Sequence, residues 1–145
     1  AAGSTMKNLK EKGLYKVISS LSQPVLGICL GMQILTDFSE EGETTCLSVL
    51  GSEVKRFKGD QKIPHMGWNT IHDLQGSLFR DIEEGSFVYF VHSYYVPLNN
   101  VTSAKTTYMV DFSASMQDNN FFTTQFHPEK SGDIGLNILK NFMKL

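Results

Sequence analysis

The segment VLGICLGMQIL, residues 25–35, constrains the fold more than any other stretch of this sequence. Residues 25–28 have the apolar character of a buried strand, and the apolar residues after Cys29 follow the spacing of a buried helix face. Gly27 and Gly31 flank the cysteine at the spacing G-x-C-x-G. The pattern predicts a sharp strand-to-helix turn that requires small residues on both sides.

Such a turn presents its central residue at the carboxyl edge of a sheet, in a backbone conformation that small neighbours permit. A thiol just before a helix N-terminus is exposed to the partial positive charge of unpaired N–H groups, which predicts that Cys29 favours the thiolate form. The backbone N–H of Leu30 is placed to receive a developing oxyanion. The alternative interpretation is a buried structural cysteine in a glycine-containing turn, and the motif alone leaves both open.

A second candidate group lies in TTQFHPEKS, residues 123–131. His127 and Glu129 are two residues apart at the end of a predicted strand, so their side chains project to the same side. Pro128 suits a strand end because it cannot donate to the ladder. A carboxylate beside an imidazole fixes its tautomer and stabilises the imidazolium form. Taken alone, the pair also fits a loop histidine beside a solvated charge.

The remaining pattern predicts helices at both ends of the chain and strands between them, an order that favours an α/β fold with an antiparallel excursion in the middle. Apolar spacing predicts one helix from an N-cap at Ser4 or Thr5 to Pro24, weakened but not ended by Gly13. Residues 87–96 are predicted as one strand and residues 38–46 as a polar, solvated acidic loop.

Composition excludes several classes of function. The 145 residues carry a net charge of −2 and no basic run, so no electrostatic surface for nucleic acid or an anionic membrane is expected. We see neither a signal peptide nor a membrane-spanning stretch, and expect a cytoplasmic protein whose Cys29 and Cys46 are free thiols. His65 and His72 lack the partners of a metal site, so no metal or other cofactor is expected. Residues 1–145 are expected to form one domain.

Four segments in the same order, GICLGMQ, PHMGWN, YFVHSYY and QFHPEKS, resemble those of the class I (triad) glutamine amidotransferases. PHMGWN and YFVHSYY are similar, more narrowly, to the glutaminase subunits of imidazole glycerol phosphate synthase. The resemblance implies a flavodoxin-like three-layer α/β fold with a central, mostly parallel sheet. Family members have strands and an oxyanion loop before this point, whereas this sequence starts AAGSTMKNL. We therefore expect a fold that lacks its N-terminal part.

The resemblance also implies roles for particular residues. Cys29 corresponds to the nucleophile, His127 to the acid/base, Glu129 to its orienting partner and Leu30 to an oxyanion donor. The implied substrate-binding residues are Gln33, Ser93 and Tyr94. The implied partner surface consists of Met66, Trp68, Tyr89 and Lys130. For Trp68, a simple core position is the alternative.

The implied activity is hydrolysis of L-glutamine to glutamate and ammonia by a Cys-His-Glu triad, without a cofactor. The implied partner is a (β/α)8-barrel cyclase subunit in a heterodimer, which uses the ammonia to make imidazole glycerol phosphate and aminoimidazole carboxamide ribonucleotide in histidine biosynthesis. No nucleic-acid or membrane partner is expected. Two alternatives remain: a class I amidotransferase that supplies another acceptor, and a non-catalytic regulatory homologue.

Overall fold

A computed structural model describes residues 1–145 and contains four α-helices, two 3-10 helices and ten strands. The α-helices are α1 (Ala2–Glu11), α2 (Leu14–Ser19), α3 (Leu30–Ile34) and α4 (Gly132–Met143). The 3-10 helices are Ser77–Phe79 and Pro128–Lys130. The strands are β1 (Val25–Ile28), β2 (Phe38–Ser39), β3 (Thr44–Thr45), β4 (Glu53–Arg56), β5 (His65–Thr70), β6 (Phe87–His92), β7 (Tyr94–Tyr95), β8 (Thr102–Tyr108), β9 (Val110–Asp118) and β10 (Phe121–Thr124). No helix of the chain combines the length and the apolar character that crossing a membrane requires.

The sheet that positions the site has the strand order β1-β10-β9-β8. β1 runs parallel to β10, with Val25 opposite Phe121 and Ile28 opposite Thr124. β9 pairs antiparallel with both β10 and β8. Because β1 and β10 are parallel neighbours, the residues that follow them leave the sheet at the same edge.

Two smaller sheets complete the strand pairing. One has the order β3-β2-β4-β7, in which β2 and β4 are parallel and the other pairs antiparallel. The other is the antiparallel pair β5–β6. The predicted α/β fold with parallel strands is confirmed, and within residues 1–145 the parallel pairs are β1–β10 and β2–β4. The sheets are therefore mixed. Short turns connect β8 to β9 and β9 to β10, so each of these strands runs antiparallel to the one before it.

Helices cover both faces of the main sheet. Consecutive residues of a strand point to opposite faces, and Phe121 and Phe122 accordingly enter two different apolar cores. Phe121 packs in a core with Met6 of α1 and Met32 of α3. Phe122 packs in the core that contains Ile138 of α4. This arrangement of helix, sheet and helix is the three-layer architecture that we expected.

Three local predictions were wrong. The N-terminal helix is split, because Gly13 takes φ 66° after α1 and its N–H bonds to Lys10 O at 3.1 Å, which terminates the helix. Its first residue is Ala2, so neither Ser4 nor Thr5 is the N-cap. The strand predicted over 87–96 is interrupted at Ser93, and the predicted loop 38–46 contains the paired strands β2 and β3.

Candidate active site

The turn at Cys29 joins β1 directly to α3. Cys29 has φ 54° and ψ −105°, a conformation that residues other than glycine rarely adopt. Its N–H donates to Thr124 O at 2.7 Å, which extends the pairing with β10 one residue past the strand. The predicted strand-turn-helix is therefore confirmed, including the unusual backbone of the cysteine.

The two glycines that flank Cys29 have different roles. A Cβ at Gly27 would lie 2.8 Å from the carbonyl oxygen of Gly31 and 3.0 Å from Leu35 Cδ1. A Cβ at Gly31 would meet no atom within 4 Å. The prediction that both neighbours must be small thus holds for Gly27 and is wrong for Gly31, since α3 leaves the sheet with open space beside that residue.

The Cys29 thiol contacts the two segments that border it. Gln125 Nε2 donates to Cys29 Sγ at 3.5 Å, and Sγ lies 3.9 Å from Val91 O. Gln125 is the first residue after β10 and is completely buried. Both cysteines of the chain are free thiols, as predicted.

Burial raises the pKa of the Cys29 thiol, and this is the largest influence on it. The negative charges of Glu129 and Glu41 raise it further, whereas hydrogen bonds from the Leu30 N–H and the Gln125 amide lower it. The prediction of a favoured thiolate is therefore wrong for this state. The N–H groups of the helix do stabilise the anion, but the desolvation of a sulfur in the cleft outweighs them.

His127 and Glu129 form the hydrogen-bonded pair that their spacing predicts, with His127 Nδ1 2.9 Å from Glu129 Oε2. The carboxylate fixes the imidazole and leaves Nε2 for other partners. The backbone holds His127 on both sides, since its N–H donates to Tyr89 O at 2.9 Å and its carbonyl accepts from Ser131 Oγ at 2.6 Å. Cys29 Sγ is hydrogen-bonded to Gln125 and Val91 O, and no hydrogen bond joins it to the imidazole.

A cleft of about 400 Å³ opens at this edge of the sheet, a size that accommodates a small metabolite. It is lined by five of the predicted residues, Cys29, Leu30, Gln33, Ser93 and Tyr94. His127 and Glu129 follow β10, the neighbour of the strand that Cys29 follows, but they do not line the cleft.

The cleft also brings in charged residues that sequence reasoning missed, namely Glu41 and Arg56. Glu41 was assigned to a solvated acidic loop, but its side chain is 26% exposed and its Oε1 accepts from Ala2 N at 2.8 Å. Arg56 lies with its guanidinium 5.5 Å from the centre of the Tyr94 ring. No sequence signal marks either residue, because the pairing of β2 with β4 brings them to the cleft.

The side-chain amide nitrogen of Gln33 makes two hydrogen bonds within the protein. Its Nε2 donates to Tyr94 O at 3.0 Å and to Gln125 Oε1 at 2.9 Å, which uses both amide hydrogens. Only its side-chain oxygen remains for a ligand in the cleft.

Three of the four predicted partner-surface residues share the outward face of the β5–β6 hairpin. Met66 and Trp68 are 58% and 56% exposed, so the core alternative for Trp68 is wrong. Tyr89 lies opposite Trp68 in register, with their rings 5.9 Å apart and nearly perpendicular. Phe87, which was not predicted, is 59% exposed and extends the same face. Lys130 is exposed and adjoins Ser131, whose hydroxyl accepts from Tyr89 N at 2.9 Å.

Comparison with known proteins gives a consistent result. The family described as glutamine amidotransferase class-I matches residues 6–145. The chain is similar to the imidazole glycerol phosphate synthase subunit HisH of Bacteroides fragilis, with 54% identity over 99% of this chain and 75% of that protein. It is 48% identical to the HisH subunit of Pasteurella multocida over 99% of this chain and 73% of that one.

Solved structures support the fold. A protein described as a GMP synthase subunit from Thermoplasma acidophilum superposes with a TM-score of 0.68 at 19% identity, over 99% of this chain and 67% of that one. A glutamine amidotransferase from Thermotoga maritima superposes with a TM-score of 0.64 at 21% identity, over 99% of this chain and 58% of that one. At these identities the likeness concerns architecture alone, and it agrees with the three layers described above.

Proposed function

This chain belongs to the class I glutamine amidotransferase family, and from that premise we propose that it is the glutaminase subunit of an imidazole glycerol phosphate synthase. The observation that carries the proposal is the edge shared by β1 and β10. There a cysteine on a strained turn and a His127–Glu129 pair follow adjacent parallel strands, beside a cleft of about 400 Å³.

The chemistry begins with attack of Cys29 Sγ on the side-chain amide carbon of L-glutamine, while His127 accepts the thiol proton. The imidazolium returns that proton to the departing nitrogen, which leaves as ammonia and a γ-glutamyl thioester remains on Cys29. The same imidazole then activates a water molecule that releases glutamate. Glu129 stabilises the imidazolium, and the Leu30 N–H stabilises the oxyanion.

The raised pKa of the Cys29 thiol describes a resting state in which the sulfur is protonated. Its hydrogen bonds go to Gln125 and Val91 O and not to the imidazole, so attack requires the thiol to exchange these bonds for a contact with His127. The free subunit is therefore expected to hydrolyse glutamine slowly.

The cleft offers complementary charges to an amino acid. Gln33, Ser93 and Tyr94 line the cleft and bind the substrate, and the side-chain oxygen of Gln33 is the part of its amide left to accept a hydrogen bond. The Glu41 carboxylate suits the α-ammonium group of glutamine, and the Arg56 guanidinium suits its α-carboxylate.

The outward hairpin face, defined as Met66, Trp68, Phe87 and Tyr89, is the surface that we assign to the partner, with Lys130 at its border. Exposed apolar and aromatic side chains grouped in this way are typical of protein interfaces. The relatives named as imidazole glycerol phosphate synthase subunits support a cyclase subunit of (β/α)8-barrel fold as the occupant, in a heterodimer. That subunit uses the ammonia to form imidazole glycerol phosphate and aminoimidazole carboxamide ribonucleotide in histidine biosynthesis, in the cytoplasm, where both thiols stay reduced.

The test measures glutamate release by the full-length protein in complex with its cyclase and the cyclase ligand. We expect Cys29→Ala to abolish release and the matched control Cys46→Ala to retain it, because Cys46 lies outside the cleft. A diazo-ketone analogue of glutamine should label Cys29 and no other residue. Unchanged turnover in Cys29→Ala would refute the nucleophile. Glutamate release without imidazole glycerol phosphate would point to another ammonia acceptor.

A further inference from the structure

The inward face of the β5–β6 hairpin carries two buried histidines. His65 lies directly opposite His92 in the strand pairing, and the two are 4% and 7% exposed. Their rings are joined by a hydrogen bond of 3.0 Å between His65 Nδ1 and His92 Nε2. The proposed reaction uses neither residue, although His92 lines the cleft.

The neighbours of this pair determine where each proton lies. His92 Nδ1 is 2.7 Å from Tyr94 O, and because a carbonyl only accepts, Nδ1 must carry the hydrogen. The neutral His92 then accepts at Nε2, so His65 Nδ1 carries a hydrogen and donates it. His65 Nε2 in turn accepts from Asn69 Nδ2 at 3.4 Å.

The environment supports the neutral state that this proton count requires. Burial lowers the pKa of His65 to about 4. Burial also lowers the pKa of His92 to about 3, with smaller lowering from the charges of His65 and His127 and an opposing contribution from its bond to Tyr94. The bonds therefore run in one direction at pH 7, from Asn69 through His65 and His92 to the Tyr94 carbonyl.

A second set of hydrogen bonds reaches the same carbonyl from the nucleophile's side. Tyr94 O also accepts from Gln33 Nε2 at 3.0 Å, and the other hydrogen of that amide goes to Gln125 Oε1 at 2.9 Å. Gln125 Nε2 donates to Cys29 Sγ at 3.5 Å. Both glutamines are buried, so an unpaired amide group at either position would be costly.

We propose that His65, His92 and Gln125 are positioning residues of the active site, and that this continuous hydrogen-bond network holds the Cys29 sulfur in place from strand β5. Their action is indirect: the histidines fix the Tyr94 carbonyl, that carbonyl fixes the Gln33 amide, and Gln33 fixes the Gln125 amide that bonds Sγ. The inference rests on the proposed function only in calling Cys29 the nucleophile.

The network also links the outward hairpin face to the sulfur. β5 carries Met66 and Trp68 on its outward side and His65 on its inward side. A displacement of β5 when the partner docks would change the bond between His65 and His92 first, and the hold on Cys29 Sγ last.

The proton positions can be tested without any variant. Nitrogen-15 NMR of the histidines in the full-length protein should show His65 and His92 both neutral at pH 7 and both protonated at Nδ1, the tautomer that is the less common one in water. A His92 that is charged, or protonated at Nε2, would overturn the network, because Tyr94 O would then lack its donor or His65 would face a second donor.

The effect on the sulfur is tested by the rate of iodoacetamide alkylation of Cys29, followed by mass spectrometry of its peptide over a range of pH. Gln125→Met keeps the length of the side chain and removes the donor, so we expect alkylation at pH 7.5 to slow about tenfold, the usual worth of a hydrogen bond to a charged acceptor. His92→Asn keeps an N–H close to the Nδ1 position and should stay within about threefold of wild type. His92→Gln moves that N–H to the Nε2 position and should slow alkylation about fivefold or more.

The two His92 variants form the decisive comparison. Equal effects of His92→Asn and His92→Gln, or alkylation within twofold of wild type in Gln125→Met, would reduce these residues to ordinary packing. The assay uses no glutamine, so its failure is separate from failure of the glutaminase proposal, which the Cys29→Ala measurement decides.

Discussion

Two regions of the molecule differ in which side chains they bury. One is the β1–β10 strand pair, and the other is the β5–β6 hairpin. In β10, Phe121 and Phe122 are buried on the two faces of the sheet. In the hairpin, the outward hairpin face exposes its aromatic residues while the inward face buries His65 and His92. A group of exposed apolar side chains such as this one is typical of a surface that another protein covers.

This difference in burial separates the groups that the chain holds in place by itself from those that are left for another surface to contact. The buried amides at the edge, Gln33 and Gln125, find their hydrogen-bond partners within the chain. The outward hairpin face has no covering element in residues 1–145. The groups proposed for the chemistry are therefore held at the edge by contacts within this chain, whereas the proposed partner surface lies on the hairpin.

Removal of the acid/base at the edge should have the largest effect. His127→Ala in the complete complex is expected to lower the rate of glutamate release at saturating glutamine by about 10³-fold or more, because no other group takes the thiol proton. Glu129→Gln should cost less, about 10²-fold, since it keeps the imidazole in place but loses the charge that stabilises the imidazolium. Both variants should bind the partner as wild type does, which isothermal titration checks. A His127→Ala complex that retains a tenth of the wild-type rate would contradict the assignment.

Acid should weaken the inward side of the hairpin. Below pH 6.5 the unfolded chain binds protons at His65 and His92, whereas the folded protein does so only near pH 4 and pH 3. The free energy of unfolding therefore falls as the pH drops from 6.5 toward 4. Between pH 7 and pH 5 the loss from these two groups is about 4 kcal/mol, or about 2 kcal/mol each.

Urea denaturation at pH 7, 6 and 5 measures this loss. His65→Asn should remove about half of the pH dependence. If His65→Asn and wild type lose the same free energy between pH 7 and pH 5, the histidines are not buried in the neutral form.

The sequence predicted the edge well because its signals are local. The spacing G-x-C-x-G and the alternation of His127 and Glu129 determine a turn and a shared side through backbone geometry alone. The ionisation of Cys29 could not be predicted in this way. It depends on how much water the folded cleft excludes, and on charges such as that of Glu41 that come from a different strand pair.

The hairpin was harder to predict, because its hydrophobic pattern indicates that the exposed side chains are buried. In HMGWNT, residues 65–70, the alternation separates Met66 and Trp68 from His65, and a hydrophobic criterion alone would bury the first two. The resemblance, and not the pattern, placed them on a surface. The effect of Gly13 could not be predicted from the sequence either. A glycine ends a helix where the chain takes a positive φ, as it does here, and the sequence does not reveal that angle.

Truncation on the outward hairpin face should affect binding and leave the edge intact. Trp68→Ala is expected to weaken binding to the cyclase subunit by about 2 kcal/mol, roughly 30-fold in Kd, as for an aromatic residue at the centre of an interface. The free energy of unfolding should change by no more than about 0.5 kcal/mol, since the side chain is 56% exposed.

The matched control is Leu136→Ala on α4, which is 48% exposed and lies outside the hairpin. It should leave Kd unchanged in isothermal titration. Equal binding by Trp68→Ala and Leu136→Ala would place the partner on another surface.

The smallest effects separate the two glycines beside Cys29, and they test whether the turn is constrained by contact or by conformation. Gly27→Ala places a methyl group 2.8 Å from the Gly31 carbonyl oxygen, a backbone atom that cannot move aside alone. We expect the free energy of unfolding to fall by about 2 kcal/mol, as for other overpacked sites. Gly31→Ala adds its methyl in open space within α3 and should leave stability unchanged or raise it by up to about 1 kcal/mol. Urea denaturation of the two variants measures the difference. Should both lose stability equally, the cost would arise from the strained backbone of Cys29, and the close approach at Gly27 would not be what makes this edge intolerant of larger side chains.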